Sequence, residues 1–324
     1  MQPSIFLHQH AEFEQLIQII SEEMSVFPDL VEKDYWLMHA LCSLQQDFKF
    51  QLKGGTSLSK GYDCIYRFSE DIDLKIEPDE QRCGFKVFTG KNHDDPKHRD
   101  SRKRYFDWLC EQLSGHMPGF VRIVRDHDFD DQHKFRNGGI RLFYEAKFEG
   151  NRGLKDGILL EAGFDRTAPN QPRTITSWLY ERAAKTPGVD IADNRAIDVP
   201  CYEPKYTFVE KLNAVIRKYR LYKTGQQGDT LPVNFIRHYY DLYQLLERED
   251  VKNYVGTPEY ESFKAERFGG TDTKIGNSDA LKLTSSEDRA AFEAAYARSE
   301  GLYFRGRPTL QEILDRMAQY MDRL

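Results

Sequence analysis

One stretch, residues 53–74, constrains the fold of this 324-residue chain more than any other. It holds two aspartates, Asp71 and Asp73, in a segment where polar and apolar residues alternate. Successive side chains point to opposite faces of a strand, so this pattern predicts a strand over 67–76 with both carboxylates and Ser69 on one face. Adjacent carboxylates repel each other unless a cation lies between them. Such hard oxygen ligands suit Mg²⁺, which binds one or two carboxylates together with substrate phosphates.

Upstream of the aspartates, Gly54 and Gly55 precede two hydroxyl residues, Thr56 and Ser57. Glycine lets the backbone approach a ligand closely, so we expect a turn whose N–H groups and hydroxyls donate to phosphate oxygens. A helix is expected over 57–66, with its N-terminus facing the same anion. Each motif alone is common in other settings, since most Asp-x-Asp pairs are solvated strand ends and most Gly-Gly pairs are turns. The residues that would complete a Walker loop or a calcium loop are absent from the sequence.

Composition excludes several classes of protein. The chain is 40% hydrophobic and 30% charged, with a net charge of −6, which favours a soluble globular protein and argues against one that is basic throughout. No apolar run approaches the ~18 residues that span a bilayer, and the N-terminus does not resemble a signal peptide. We therefore expect a cytoplasmic protein with no membrane partner. Five scattered cysteines without Cys-x-x-Cys spacing fit reduced thiols and argue against structural zinc.

The remaining pattern predicts an α+β fold. Further strands are expected at 48–52, 121–124, 139–148 and 157–164. Because long helices do not separate most of them, the sheet should be mixed or antiparallel, with helices flanking it. Helices are expected at 11–24, 28–44, 206–222, 234–246, 285–299 and 309–324. Proline and glycine enrichment over 165–200 predicts a domain boundary. We therefore divide the chain into a sheet domain, 1–185, and a mainly helical domain, 186–324.

Glu161 is the only charged residue in the strand expected at 157–164. Glutamate is rarely buried without a partner, so we interpret it as a third metal ligand or a general base. The alternative is a structural glutamate that pairs with Arg141 or Arg166.

Basic residues are candidates for binding phosphate or RNA backbone. The densest group, over 97–104, precedes an expected helix, where a solvated charge run is the more common case. Lys33 lies in the helix expected at 28–44, and a solvated position and a phosphate-binding or structural role are both open for it.

Taken together, these motifs resemble the polymerase-β-type nucleotidyltransferase superfamily, and more closely the AbiEii toxin family of nucleotidyltransferases. The resemblance spans roughly residues 30–245 and rests on five segments in order: Glu32-Lys33-Asp34-Tyr35-Trp36, Gly54 to Lys60, Arg67 to Leu74, Glu210-Lys211-Leu212 and Arg237 to Tyr243. The nucleotide-binding residues that we predict are Gly54, Gly55, Thr56, Ser57, Lys60, Arg67, Ser69 and Lys211.

The resemblance also implies active-site roles for Lys211 and Asp241 in the second domain. Base rates alone would make Lys211 a surface lysine and would pair Asp241 with Arg237, one helical turn away. In the family, a lysine and an aspartate in these contexts belong to the active site. Lys211 would neutralise charge on the pyrophosphate leaving group. Asp241 would hold or orient that lysine, or take the proton from the attacking hydroxyl.

The sequence therefore predicts an enzyme that transfers a nucleoside monophosphate from a nucleoside triphosphate (NTP) to an acceptor. Asp71 and Asp73 would hold Mg²⁺, with Mn²⁺ as the alternative ion. The resemblance implies the toxin of a toxin–antitoxin or phage-defence system, a cognate antitoxin partner, and a tRNA 3′ end as the acceptor, as in some relatives. Two alternatives stay open: transfer to a protein hydroxyl, and a non-catalytic nucleotide- or RNA-binding module. The intact aspartate pair argues against the second.

Overall fold

The strand that carries the two aspartates lies at the centre of a mixed sheet. The computed structural model of the chain describes residues 4–90, 93–148, 150, 154–164, 168–225, 233–269 and 275–324. The chain divides into two compact units, of which the first comprises Met1–Tyr62 with Ser69–Tyr202, and the second Asp63–Phe68 with Glu203–Leu324. The chain thus passes finally into the second unit after Tyr202, whereas the prediction divided it after residue 185.

The sheet belongs to the first unit and has seven strands within the described ranges. In chain order these are β1 (Phe50–Lys53), β2 (Asp71–Ile76), β3 (Phe120–Asp126), β4 (Asn137–Tyr144), β5 (Ile158–Gly163), β6 (Asn170–Ile175) and β7 (Ala196–Tyr202). Their order in space is β3-β4-β5-β2-β1-β7-β6. β2 pairs with β5 and β1 with β7 in parallel, and the other neighbours are antiparallel. The predicted α+β fold with a mixed sheet and flanking helices is confirmed.

The helices of the first unit follow the apolar periodicity of the sequence. They are α1 (Phe13–Met24), α2 (Pro28–Asp47), α3 (Gly54–Thr56), α4 (Glu80–Cys83), α5 (Pro96–Ser114) and α6 (Trp178–Ala184). α1 buries Phe13, Ile17 and Ile20 along one side, as expected for an amphipathic helix. α2 begins with Pro28, because the first turn of a helix does not need the N–H that proline lacks.

The second unit is helical in the residues described. Its helices are α7 (Pro204–Lys223), α8 (Val233–Leu245), α9 (Glu249–Tyr254), α10 (Pro258–Arg267), α11 (Asp279–Lys282), α12 (Ser286–Arg298) and α13 (Leu310–Ala318). Side-chain hydroxyls cap the N-termini of α10, α12 and α13, from Thr257, Ser285 and Thr309. A capped N-terminus satisfies a backbone donor that the helix itself leaves free. None of the helices described in either unit is long and apolar enough to cross a membrane.

The Asp-x-Asp strand and the Gly-Gly segment begin or end at other residues in the structure than the sequence predicted. The Asp-x-Asp strand begins at Asp71 rather than at residue 67. The glycines do not form an isolated turn but begin a helical run, in which α3 continues directly as a π-helix over Ser57–Gly61. That run ends at Gly61, so the helix predicted over 57–66 is too long at its C-terminal end. Ser69 lies before β2, and the alternation that placed it beside the aspartates does not extend to it.

The sequence interpretation missed β6 and β7. Both lie in the proline-rich stretch, and Pro172 of β6 stands opposite Pro200 of β7 in the ladder. Proline cannot donate to a ladder and is found mostly in edge strands, so prolines in a run argue against a strand. β6 is indeed an edge strand, but β7 lies inside the sheet beside β1.

Candidate active site

Three carboxylates lie on one face of the sheet. In the ladder, Asp73 of β2 is paired with Glu161 of β5. Adjacent strands are about 4.8 Å apart, and paired side chains project from the same face. Asp71 projects from that face too, two positions earlier in β2. Ile72 and Leu74 project from the opposite face and are 1% and 0% exposed, so they anchor β2 in the core.

The surroundings of Glu161 favour its neutral form. Burial is the main cause, the charges of Asp73 and Asp71 add to it, and together they raise the pKa of Glu161 to about 8. Lys53 opposes this shift, and a hydrogen bond between Glu161 and Asp73 contributes to it. In the absence of a cation, Glu161 is therefore protonated near neutral pH, and the proton relieves the repulsion between Glu161 and the two aspartates.

The structural alternative for Glu161 does not hold for Arg141. The Nε of Arg141 donates to the Oδ2 of Asp126 at 2.6 Å, and its Nη1 donates to the carbonyl oxygen of Asp156 at 3.0 Å. Arg166, the other predicted partner, lies outside the described residues. The carboxylate of Glu161 thus has the two aspartates as its neighbours, as the interpretation as a third ligand or general base requires.

The proton on Glu161 should make the stability of the protein depend on pH. The pKa of Glu161 rises from 4.5 to about 8 on folding, so in this pH range the folded protein binds more protons than the unfolded chain. The free energy of unfolding should therefore fall as pH rises through that window. Without divalent cations, we expect the melting temperature of the wild type to decline across this range and Glu161→Gln to flatten the decline. Thermal unfolding followed by circular dichroism measures both.

Exposed Glu111 offers the matched control, since Glu111→Gln removes a carboxylate from the surface of α5. This control should keep the wild-type decline. An equally steep decline in Glu161→Gln would contradict the burial and charge repulsion assigned to Glu161.

Gly54 gives the Asp73 side chain room beside the backbone. Its φ is +71°, a conformation that residues with a Cβ rarely adopt. A Cβ at Gly54 would also overlap Oδ2 of Asp73. The first glycine of the motif is therefore required both by its backbone conformation and by the carboxylate packed against it.

The two hydroxyls of the motif, which the sequence predicted as donors to phosphate, donate to backbone carbonyl oxygens in the structure. Thr56 donates to the carbonyl oxygen of Asp71 at 2.6 Å, and Ser57 donates to that of Tyr202 at 3.3 Å. Both residues are buried. They fix the helical run against β2 and β7.

Lys60, also predicted to bind the nucleotide, is paired inside the first unit. Its ammonium lies 2.6 Å from the Oδ1 of Asp34 and 4.3 Å from the ring centroid of Trp178. Asp34 is buried and also accepts a hydrogen bond from the backbone N–H of Trp178 at 2.9 Å. Lys60 thus ties the end of the helical run to α2 and α6.

Lys33 has a structural role, one of the alternatives that the sequence left open. Its ammonium donates to the carbonyl oxygen of Lys155 at 2.5 Å and lies 3.8 Å from the carboxylate of Glu70. The backbone N–H of Lys155 donates to Glu70 at 3.3 Å. Lys33 and Glu70 are both buried. Their ion pair therefore holds both backbone groups of Lys155, in the segment just before β5.

The basic cluster at 97–104 lies within α5 and does not precede it. Its central residue, Arg102, is fully buried and donates to the carbonyl oxygens of Phe88, His93 and Lys134 at 2.7–2.9 Å. Arg102 therefore organises the surrounding loops and does not bind phosphate.

In the second unit, Asp241 holds two cations. Its carboxylate accepts from Nε and Nη2 of Arg67 at 2.6 and 2.7 Å, and the ammonium of Lys211 lies 2.8 Å away. Burial alone would raise the pKa of Asp241, but the charges and hydrogen bonds of Arg67 and Lys211 outweigh it and hold the pKa well below its usual range. A carboxylate in this state is a poor base. Of the roles that the sequence left open for Asp241, the geometry supports holding the lysine.

The carboxylates of Asp71 and Asp73 fit a hard divalent cation. Among the described residues, no group of three or more His, Cys, Asp and Glu side chains is arranged to hold a metal by itself. Mg²⁺ does not need such a cage, because it binds one or two carboxylates and completes its octahedron with water and substrate phosphates. After burial, the charges of Asp73 and Asp71 contribute most to the raised pKa of Glu161, and a cation at this site would offset those charges.

The sequence interpretation missed two basic residues, Lys53 and Lys155. Lys53 of β1 is paired with Asp73 in the ladder and opposes the pKa shift of Glu161. Its position next to Gly54 was the available signal. Lys155 is fixed by Lys33 and Glu70, and no local pattern in the sequence predicts that contact.

Comparison with protein families agrees with the geometry. The family model described as nucleotidyl transferase AbiEii toxin, type IV toxin–antitoxin system, matches residues 36–316. No curated protein sequence gives a significant match. The matched range covers most of the chain and includes the glycines, all three carboxylates, Lys211 and Asp241. The chain therefore belongs to the AbiEii family of nucleotidyl transferase toxins of type IV toxin–antitoxin systems.

Proposed function

We propose that this protein transfers a nucleoside monophosphate from an NTP to the 3′ end of a tRNA, and that the reaction requires a divalent cation. Family membership supplies the reaction class, nucleotidyl transfer by a toxin. The observation that best supports the proposal is the row of Asp71, Asp73 and Glu161 on one sheet face. As a toxin of this family, the protein should also have a cognate antitoxin.

Asp71 and Asp73 would hold Mg²⁺, or Mn²⁺ as the alternative. A bound divalent ion supplies charge stabilisation for an in-line displacement at phosphorus. The first N–H groups of a helix lack intrahelical partners, so those of Gly54 and Gly55 are suited to bind the triphosphate. In the transfer, the acceptor hydroxyl oxygen forms a bond to the α-phosphorus, the bond from that phosphorus to the bridging oxygen breaks, and pyrophosphate leaves.

We assign the proton of the attacking hydroxyl to Glu161. A general base works best when its pKa lies near the operating pH. Without a cation, burial and the charges of the aspartates raise the pKa of Glu161 to about 8. A divalent cation held by Asp71 and Asp73 would offset those charges and lower this pKa, which would free the Glu161 carboxylate to accept the proton. Asp241, whose pKa is held well below its usual range, is the poorer base. In the second unit we assign Asp241 to positioning Lys211, whose contact with the leaving pyrophosphate stays a prediction from the family resemblance.

The test is incubation of the purified protein with total tRNA, Mg²⁺ and each α-labelled NTP in turn. We expect label on tRNA with at least one NTP, and no label in EDTA or with Asp71→Ala. Label on protein bands would replace the tRNA acceptor with a protein hydroxyl. No label on any acceptor would favour the non-catalytic nucleotide- or RNA-binding module.

Two glycine substitutions isolate the role of Gly54. Gly54 and Gly84 have similar φ values, +71° and +75°, but a Cβ at Gly84 meets nothing within 4 Å. Alanine at either position should cost about 1–2 kcal/mol for the left-handed backbone. Only Gly54→Ala should also displace Asp73, and a displacement of ~1 Å lowers the transfer rate about 100-fold.

Denaturant unfolding and label transfer on the same two variants measure these effects. Full activity in Gly54→Ala would contradict the role assigned to the packing of Asp73 against the glycine. Loss of activity in Gly84→Ala would show that the assay responds to backbone strain in general.

A further inference from the structure

The sheet face that carries the carboxylates continues past Glu161 onto β4. In the ladder, Glu161 is paired with Gly139, about 4.8 Å away. A Cβ at Gly139 would lie 2.7 Å from the Cβ of Phe129. The Phe129 side chain therefore packs over β4 at the position paired with Glu161. An aromatic side chain therefore borders the carboxylates.

Two cations flank the Phe129 ring. The ammonium of Lys155 lies 4.1 Å from its centroid, and the guanidinium of Arg141 lies 5.7 Å from it. Lys33 and Glu70 hold the backbone of Lys155, so the ammonium projects from a fixed segment. Arg141 follows Gly139 by two positions in β4 and lies on the same face. We call Phe129, Lys155 and Arg141 the Phe129 cluster.

A second ring and cation lie farther along this face. Phe143 follows Arg141 by two positions in β4 and is paired in the ladder with Arg122 of β3. The guanidinium of Arg122 lies 3.8 Å from the ring centroid of Phe143. Arg122 is exposed and, among the described residues, has no carboxylate within ion-pair distance, whereas Arg141 is paired with Asp126.

This arrangement fits one class of acceptor. Aromatic rings stack on unpaired bases, and adjacent cations bind the phosphates between them, which together is how proteins hold single-stranded nucleic acid. A duplex presents no free base face to such rings. Among the described residues, neither Arg122 nor the ammonium of Lys155 lies within ion-pair distance of a carboxylate, so both offer positive charge complementary to a phosphate backbone.

We propose that the Phe129 cluster, continued by Phe143 and Arg122, binds the unpaired 3′ end of an RNA acceptor and leads it to the carboxylates. The proposal rests on the proposed function in taking RNA as the acceptor. It adds the surface on which that RNA lies and the groups that bind its bases and phosphates.

The test measures RNA binding without nucleotide. A fluorescein-labelled single-stranded RNA with the sequence of a tRNA 3′ end is titrated with the full chain, and anisotropy gives Kd. The variant Arg122→Gln/Phe143→Leu removes the cation and the ring but keeps side-chain bulk. We expect it to bind about tenfold more weakly or worse. Arg122→Gln alone should reduce the salt dependence of log K by roughly 0.7.

Arg82→Gln is the matched control. The guanidinium of Arg82 lies 4.5 Å from the ring centroid of Phe48. Phe48 precedes β1 at the end where Phe50 pairs with Ile76, opposite the end near Asp73. Unlike Arg122, Arg82 also pairs with a carboxylate, that of Asp47 at 3.1 Å. This control removes a cation from a ring away from the carboxylates of the site, so it should leave RNA affinity unchanged. Circular dichroism confirms that all variants are folded.

Label transfer with the same proteins separates this proposal from the proposed function. The expected result is a raised KM for RNA with an unchanged KM for NTP in the double variant. If the wild type labels RNA and the double variant keeps its RNA affinity and KM, the function stands and this surface is overturned. If the wild type binds the oligonucleotide through these residues but labels no RNA, the surface stands and the function fails. A wild type that does not bind the oligonucleotide overturns the surface.

Discussion

Asp73→Asn should abolish nucleotidyl transfer while the protein stays folded. Asparagine keeps the shape of the side chain beside Gly54 but loses the charge that would hold a divalent cation. We expect kcat/KM to fall at least about 1000-fold, and Asp71→Asn to act similarly. Above pH 8, where Glu161 is ionised in the wild type, the thermal stability of Asp73→Asn without metal should equal or exceed that of the wild type, because the repulsion between Asp73 and Glu161 is gone.

Glu77→Gln is the control for this prediction. Glu77 follows β2, is exposed and pairs with Lys75 at 2.9 Å, so the substitution removes one carboxylate from the same part of the chain. Its activity should match that of the wild type. Retained transfer in Asp73→Asn, or a melting temperature well below that of the wild type, would contradict the assignment of Asp73 as a metal-binding carboxylate under electrostatic strain.

Asp241→Ala should destabilise the protein more than any surface substitution. It leaves the buried cations Arg67 and Lys211 without their shared carboxylate. Removing one partner from a buried ion pair typically costs about 3–5 kcal/mol. The shift in the denaturant midpoint measures this cost.

Asp250→Ala is the matched control for Asp241→Ala. Asp250 is exposed and pairs with Arg248 at 2.9 Å, and such surface pairs contribute about 0–1 kcal/mol.

The pKa of Asp241 is lowered in the folded protein, so the stabilisation from its ion pairs is present above its unfolded pKa near 3.8 and is lost as pH falls through the folded pKa. If Asp241→Ala is as stable as the wild type and loses only its activity, the proposed role of Asp241 in holding the two cations is excluded.

The sequence predicted the elements whose side chains repeat with a clear period. The alternation in β2 placed Asp71 and Asp73 on one face and Ile72 and Leu74 on the other, as observed. Glu161 was singled out because a charge in an apolar strand requires a reason, and it lies beside Asp73. The placement of residues in β2 is confirmed because it depends on local geometry, whereas the role of Glu161 stays a prediction.

Buried charges could not be assigned from the sequence, because charged residues are mostly exposed and their partners here lie far along the chain. Lys33 contacts a carbonyl oxygen 122 residues away, and Arg67 contacts a carboxylate 174 residues away. The hydroxyl of Ser57 binds a carbonyl oxygen 145 residues away. A phosphate-binding hydroxyl and one that fixes two segments of backbone look the same in a motif.

The passage of the chain through Asp63–Phe68 limits how the protein can be divided. This segment joins the helical run over residues 54–61 to β2, yet it belongs with the helical unit. The Tyr66 N–H donates to the Tyr240 hydroxyl at 3.1 Å, and the Phe68 N–H donates to the carbonyl oxygen of Leu302 at 2.8 Å. A truncation after Tyr202 would remove Tyr240 and Leu302, which are the hydrogen-bond partners of this segment. The helical unit is therefore not a detachable module, because deletion or exchange of it at that point would leave the segment Asp63–Phe68 without its partners.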